Sequence, residues 1–324
     1  MYPEAFPESV VFTASAPAKV ILCGEHAVVY NQPAIAIPVS DLRVTVRIQR
    51  HQSGAPGLRL IAGDLERFLP SNVSFHEEQA VTDALELTVR LVLETLKCSL
   101  PGLTATIESQ IPVASGLGSG AAVSAALGRA LSAALGNPLD NPTLNTIVYE
   151  VEKIHHGTPS GIDNTVIVYE QPIFFVRNHP IQTFTAAAPF TLLIADTGRG
   201  ALTKVAVGDV RRLYETEPER IKPILSAIGD LVTLARGAIE NGDLTRLGAL
   251  MTQNHAYLQQ LTVSSDELDQ LVRAALDAGA LGAKLSGGGR GGNMIALVMP
   301  ENKSAVRAAL VRSGAKYVYE TLVG

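Results

Sequence analysis

Glu152-Lys-Ile-His-His-Gly-Thr-Pro-Ser-Gly-Ile-Asp-Asn164 sets a carboxylate near each end of a Gly/Pro turn. Upstream, Leu144, Ile147, Val148, Val151 and Ile154 recur at helical spacing. Glu152 therefore falls near the end of a helix, and Asp163 just past its break. Such a stretch can bring two acids to one pocket. Read alone, it fits equally well a plain turn at Pro159, Ser160 and Gly161, with Asp163 solvated or capping.

A second segment shifts that balance. Ile111-Pro-Val-Ala-Ser-Gly-Leu-Gly-Ser-Gly120 runs straight into the alanine-rich stretch from Ala121 to Leu135. Glycines at 116, 118 and 120 let backbone N–H groups turn toward one point, and the helix that follows adds its positive N-terminal end. That combination cradles phosphate. A Walker A loop would need Lys and then Ser or Thr where Ala121 and Ala122 stand, and a dinucleotide fingerprint would need glycine at 121. The loop is thus a phosphate cradle of another kind, or a tight turn.

Ser286-Gly-Gly-Gly-Arg-Gly-Gly-Asn293 matches the dinucleotide spacing through Gly287, Gly289 and Gly292, but Met294 to Val298 reads as a buried strand rather than a helix, which excludes that reading. Consecutive glycines are costly in chain entropy, so close approach of backbone to a ligand or another segment is the expectation. At the other end, Thr13-Ala-Ser-Ala-Pro-Ala-Lys-Val-Ile-Leu-Cys-Gly-Glu-His-Ala-Val-Val-Tyr30 places Lys19, Glu25 and His26 in an apolar run. Charges are rarely buried without partners, so these residues suggest a site or a paired network. The alternative is a solvated strand-edge lysine and a loop Glu-His pair.

In this order the four segments resemble the GHMP small-molecule kinases, nearest to their mevalonate-phosphorylating branch, to which the His-Gly-Thr-Pro-Ser-Gly-Ile-Asp-Asn segment points. The motifs extend from about residue 13 to about residue 298. The resemblance implies a two-domain α+β fold, with a ribosomal protein S5 domain 2-like N-terminal domain and a ferredoxin-like C-terminal domain, and the loop-like stretch from Asn178 to Pro189 sets their boundary, giving 1–183 and 184–324. It implies ATP-dependent phosphorylation of the primary hydroxyl of mevalonate, with magnesium. Asp163 would be the catalytic aspartate and Lys19 its cationic partner. Gly116, Leu117, Gly118, Ser119 and Gly120 would wrap the ATP phosphates. Glu152 and Ser119 would hold magnesium, and Glu25, His26 and Arg290 would face the acceptor. An Asp beside a primary alcohol can accept its proton, and the metal neutralises charge in a loose transition state.

Three positions depart from the family pattern. Ala18 stands where a glycine is usual, Gly120 stands where a second loop serine is usual, and Arg290 stands where many relatives have glycine. Without the second serine, either Ser119 serves the metal or water completes its shell.

Composition fits an enzyme of this kind. The 324 residues suffice for two domains, and 47% hydrophobic content supplies their cores. A net charge of −5 leaves no basic footprint for nucleic acid. Cys23 and Cys98 alone make no disulfide framework, so reduced thiols are expected. Met1 to Val10, with two acids and two prolines, lacks the pattern of a signal peptide, and no stretch is long and apolar enough to span a membrane. The expected location is the cytoplasm, with no membrane partner and room for a homodimer.

The remaining pattern predicts strands at Leu42–Ile48, Ala105–Ile107, Val166–Tyr169, Ile173–Val176, Leu192–Ala195 and Lys316–Glu320. Helices are predicted over 78–96, 203–217, 222–240, 243–260, 265–279 and 301–313, with a loop-like stretch at 178–189. His255 is expected to be a packed or surface helix residue, outside the core site. Rival readings are phosphorylation of phosphomevalonate or a sugar, and a non-catalytic nucleotide sensor. Arg290, with its rigid fork of donors, suits a carboxylate or a phosphate. If it binds a substrate, Arg290→Ala raises the Michaelis constant of the acceptor or of ATP. Steady-state kinetics in which both constants and turnover stay unchanged would remove it from the site.

Overall fold

The computed structural model describes residues 10–51, 56–71, 83–112, 115–156, 159–180, 182–200 and 203–324, with backbone alone for His155, His156 and Lys204. By contacts it divides into two units that interleave in sequence. The first holds residues up to Ala18, Leu42–Pro112 and Gly118–Tyr169, and the second holds Lys19–Asp41, Val113–Leu117 and Glu170–Gly324. A single boundary at 183/184 does not describe this division, because the first two strands each begin in one unit and end in the other.

β1 (Phe12–Cys23) pairs with β2 (Ala34–Arg50). β2 is buried on both faces from Ala34 to Val39 and then alternates, with Leu42, Val44, Val46 and Ile48 inward. β3 (Gly57–Ala62) and β4 (Leu65–Pro70), absent from the sequence reading, form an antiparallel hairpin, and β3 runs parallel to β5 (Gly102–Ser109). β5 in turn lies antiparallel to β2, Val46 opposite Ile107. α1 (Ala84–Leu96) is capped by Asp83, whose carboxylate accepts from the N–H groups of Leu85 and Glu86 at 2.8 and 3.1 Å. The part of this helix expected over 78–82 lies outside the described residues.

α2 (Ser119–Ala134), α3 (Asn141–His156) and α4 (Ile162–Tyr169) complete the first unit, with α2 packed on α1, α3 and α4. α2 is lined with alanine and glycine, which lets its neighbours approach closely: a Cβ on Gly128 would sit 2.7 Å from Leu144 Cδ1. Arg129 of α2 donates to the carbonyls of Ser15 and Val168, at 2.8 and 2.5 Å, joining β1 and the end of α4 to the helix layer.

α4 corrects the strand expected at Val166–Tyr169. Ile162 and the run from Asn164 to Val168 are buried together, so neither a 2.0 nor a 3.6 period can be read from their hydrophobicity. Local signals favour a helix start here, since Thr165 Oγ1 donates to Gly161 O at 2.6 Å and Ile162 N–H to Ser160 Oγ at 3.3 Å.

In the second unit, the first residues of β2 pair with β6 (Ile173–Phe175), and β6 pairs with the two-residue β7 (Gln182–Thr183). A four-stranded antiparallel sheet follows. It includes β8 (Phe190–Asp196), whose chain continues into α5 (Thr203–Thr216), α6 (Pro218–Glu240), α7 (Leu244–Gln260) and α8 (Asp266–Asp277). β9 (Gly282–Ser286), β10 (Asn293–Val298), α9 (Lys303–Arg312) and β11 (Tyr317–Val323) close the chain, giving strand order β11-β8-β10-β9. β9 and β10 are buried throughout. α7 lies on β9 at backbone distance: a Cβ on Gly282 would fall 2.0 Å from Gly248 O, and one on Gly248 would fall 2.3 Å from Leu281 O.

That approach leaves no room for a methyl group. Gly282→Ala is expected to destabilise by about 1–3 kcal/mol through overpacking. Gly208→Ala, at an exposed position of α5 whose Cβ would meet nothing within 4 Å, is expected to stabilise by about 0.5–1 kcal/mol. Urea unfolding of the two variants checks both signs.

Candidate functional site

In the second unit the end of β1 is tied to β9 and α7 by hydrogen bonds that span most of the sequence. Ile21 N–H donates to Ser286 Oγ at 3.2 Å, and the same hydroxyl donates back to Ile21 O at 2.9 Å. Gly24 N–H donates to Asn254 Oδ1 at 3.3 Å. The chain then turns through Glu25 and His26 into a 3-10 turn at Ala27–Tyr30. His26 takes φ 60°, uncommon for a non-glycine residue. Its Nε2 donates to Gly288 O at 3.1 Å, which leaves Nδ1 as a buried acceptor without a partner.

Lys19, Glu25 and His26 are all buried, at 6%, 4% and 5% exposure, so the solvated alternative does not apply. Glu25 Oε1 accepts from the ammonium of Lys284, a residue with no exposed surface in the middle of β9. The Lys284 ammonium also donates to Leu285 O. Burial pushes the Glu25 carboxyl up from its ordinary range, while the Lys284 charge and the N–H groups of Glu25 and Gly287 pull it down. Glu25 Oε2 is buried without a hydrogen bond of standard geometry. Burial also lowers His26 to about 4, so its imidazole is neutral near pH 7.

His255 lies next to this pair. Its Nδ1 accepts from Leu285 N–H at 3.3 Å, which puts the ring proton on Nε2, 3.1 Å from Asp269 Oδ1. The helix residue set aside in the sequence is thus packed and hydrogen-bonded, with burial the main force lowering its pKa.

The glycine cluster passes close to other segments, as its composition suggested. Gly289 has φ 76°, and a Cβ there would lie 1.9 Å from Val263 O. Gly292 N–H donates to Arg199 O and accepts, through its carbonyl, from both the N–H and the hydroxyl of Thr197. Arg290, at φ 59°, directs its guanidinium to Asp209 of α5 and, at 3.2 Å, to Thr262 O. Asn293 donates through Nδ2 to Ser115 O, and Lys19 N–H donates to Leu117 O at 3.0 Å, so both brace the start of the 115–120 loop.

Gly116 and Gly118 adopt φ 78° and 77°, a conformation that favours glycine, and Gly118 starts α2 with no side-chain cap on its first N–H groups. Gly120 sits inside the first turn. In the first unit Asn164 Nδ2 donates to Asn145 Oδ1 at 2.8 Å and clamps α4 against α3. Asn145 and Glu152 are seven residues apart, hence on one face of α3. Asp163, half-buried, stands in the first turn of α4. Part of the connection between the two acids, residues 157–158, lies outside the described residues.

Among the described residues no group of three or more His, Cys, Asp or Glu could hold a metal ion. Magnesium is commonly held by one or two protein oxygens together with substrate phosphates, and the buried carboxylate of Glu152 and the Ser119 hydroxyl are oxygen donors of that kind. Sequence reasoning gave no role to Lys284, Ser286 or Asn293, while Asn254 stood in it beside His255 as a residue that could line the pocket. Lys284 carried the signal that singled out Lys19: a lysine flanked by apolar residues in a short run.

Residues 82–171 match the family described as GHMP kinases N terminal domain, and residues 235–316 match GHMP kinases C terminal. The chain is 38% identical to a mevalonate kinase of Thermococcus sibiricus over 93% of both chains. It is likewise 38% identical to one of Pyrococcus furiosus over 95% of both. The solved L. major mevalonate kinase in complex with R-mevalonate superposes with a TM-score of 0.82 at 32% identity, covering 96% of this chain and 95% of that one. With both halves matched and curated relatives alike over nearly their whole length, the chain belongs to the GHMP kinases.

Proposed function

We propose that the chain transfers the γ-phosphoryl group of ATP to the primary hydroxyl of mevalonate, giving 5-phosphomevalonate and ADP on the mevalonate route to isoprenoids. The observation that carries the reading is likeness along nearly the whole chain to mevalonate kinases, one of them solved with R-mevalonate. The second unit adds chemical support. Among the described residues Glu25 Oε2 and His26 Nδ1 are buried acceptors without a hydrogen bond of standard geometry, and the hydroxyl of mevalonate that is not phosphorylated could supply one of them.

In this reading Asp163 takes the proton of the attacking hydroxyl, and Lys19 offsets charge on the transferring phosphoryl group. The first N–H groups of α2 and the backbone from Gly116 to Gly120 hold the ATP phosphates. Glu152 and Ser119 would hold magnesium, which when bound neutralises charge on the phosphate oxygens. Glu25 and His26 orient the acceptor, so that most of the catalysis is positioning. Arg290 is the least supported member of the set, since its guanidinium is engaged with Asp209 and Thr262 O.

We also propose a cytoplasmic location, with room for a homodimer. Both cysteines are free, and no helix among the described residues is long and apolar enough to cross a membrane.

ATP consumption with magnesium and a panel of mevalonate, phosphomevalonate, homoserine and galactose tests the proposal. Mevalonate is expected to be turned over, and Asp163→Asn to lower kcat by about 10²–10⁴-fold, the usual worth of a general base. Turnover confined to another acceptor would keep the transfer and reassign the substrate, and no turnover with any would leave a nucleotide sensor. Light scattering on the purified protein that returned the mass of one chain would remove the dimer.

A further inference from the structure

The proposed acceptor contacts leave Lys284 without a role, although it is among the largest side chains in the molecule with no exposed surface. Its ammonium reaches Glu25 Oε1 across 259 residues of sequence and, among the described residues, otherwise bonds the carbonyl of the adjacent Leu285. The titratable groups nearest the pair are Cys23 from β1, His26 from the turn after it and His255 from α7, with Arg290 of the glycine cluster acting on His26 and Asp269 of α8 bonded to His255. Cys23 is pushed up to about 12 and His26 down to about 4, so both are neutral near pH 7. The Lys284 ammonium is the cation that touches Glu25.

A buried carboxyl left without that cation would take up a proton. It would then present a hydroxyl donor, or a turned carboxyl group, where the acceptor site otherwise offers a carboxylate oxygen able to accept. We propose that Lys284 is a positioning residue that keeps Glu25 a carboxylate with Oε1 anchored, so that Oε2 is held in place as a hydrogen-bond acceptor for the mevalonate hydroxyl that is not phosphorylated. The inference rests on Glu25 facing that substrate.

Three variants, Glu25→Gln, Lys284→Met and the double, test it through kcat and the Michaelis constants for mevalonate and ATP from neutral to alkaline pH. Losing one charge-assisted hydrogen bond is expected to raise the Michaelis constant for mevalonate in Glu25→Gln about tenfold or more, with that for ATP unchanged. Lys284→Met is expected to match that rise at neutral pH. It should recover as pH climbs, because the unpaired Glu25 then loses its proton, whereas the double variant stays at the Glu25→Gln level at every pH.

A double variant about tenfold weaker again than Glu25→Gln would mean that Lys284 acts independently of Glu25, and would overturn the proposal. Lack of any alkaline recovery in a folded Lys284→Met would do the same. Unchanged mevalonate constants in Glu25→Gln would instead sink the acceptor role of Glu25 itself. Should Lys284→Met fail to fold, comparison of the double variant with Glu25→Gln decides, since removing both charges leaves none uncompensated.

Discussion

The second unit is organised around one buried ion pair, between Glu25 on the turn after β1 and Lys284 in β9. A buried pair of this kind contributes little net stability, since desolvation roughly offsets the attraction, but deleting one partner typically costs about 3–5 kcal/mol. Its effect is therefore on specificity of arrangement. With Ile21–Ser286, Gly24–Asn254 and His26–Gly288, it ties the end of β1 and the turn after it to β9, α7 and the glycine cluster of the second unit. The same residue that fixes this placement faces the carboxylate proposed to meet substrate, so architecture and chemistry share a contact.

Glycine makes the second close arrangement. Where α7 meets β9 and where the cluster at 287–292 meets Val263, backbone lies where a Cβ would be. These approaches leave carbonyls and N–H groups, rather than flexible side chains, around His26 and Thr197. Phosphoryl transfer asks little covalent chemistry of a protein and much positioning, and a backbone held on several sides suits that demand. Arg290 belongs to the same clasp, tying the cluster to α5 and the α7–α8 turn.

Much of this was legible from local pattern. α3 follows from spacing, α2 from its alanine-rich run after the loop, and β10 from its apolar run after the glycines. The failure at α4 has a physical cause: a segment buried on every side loses the alternation that separates strand from helix. β3 and β4 escaped because β4 is mostly exposed, so its sequence carries little apolar signal. Lys19, Glu25 and His26 could be found because charge in an apolar run is conspicuous, and Lys284 met the same criterion without a partner visible nearby.

Sequence alone determined the family motifs, the local conformation of the glycine turns, and the identity of the ionisable residues, because each depends on neighbours within a few positions. It could not decide which of those residues meet. Lys284 with Glu25, Asn293 with Ser115, and Asn254 with Gly24 are separated by 259, 178 and 230 residues. Such pairs are set by which distant segments pack together and by which buried polar groups must find a partner once water is excluded. Only the folded chain settles that, since desolvation is a property of the packed interior.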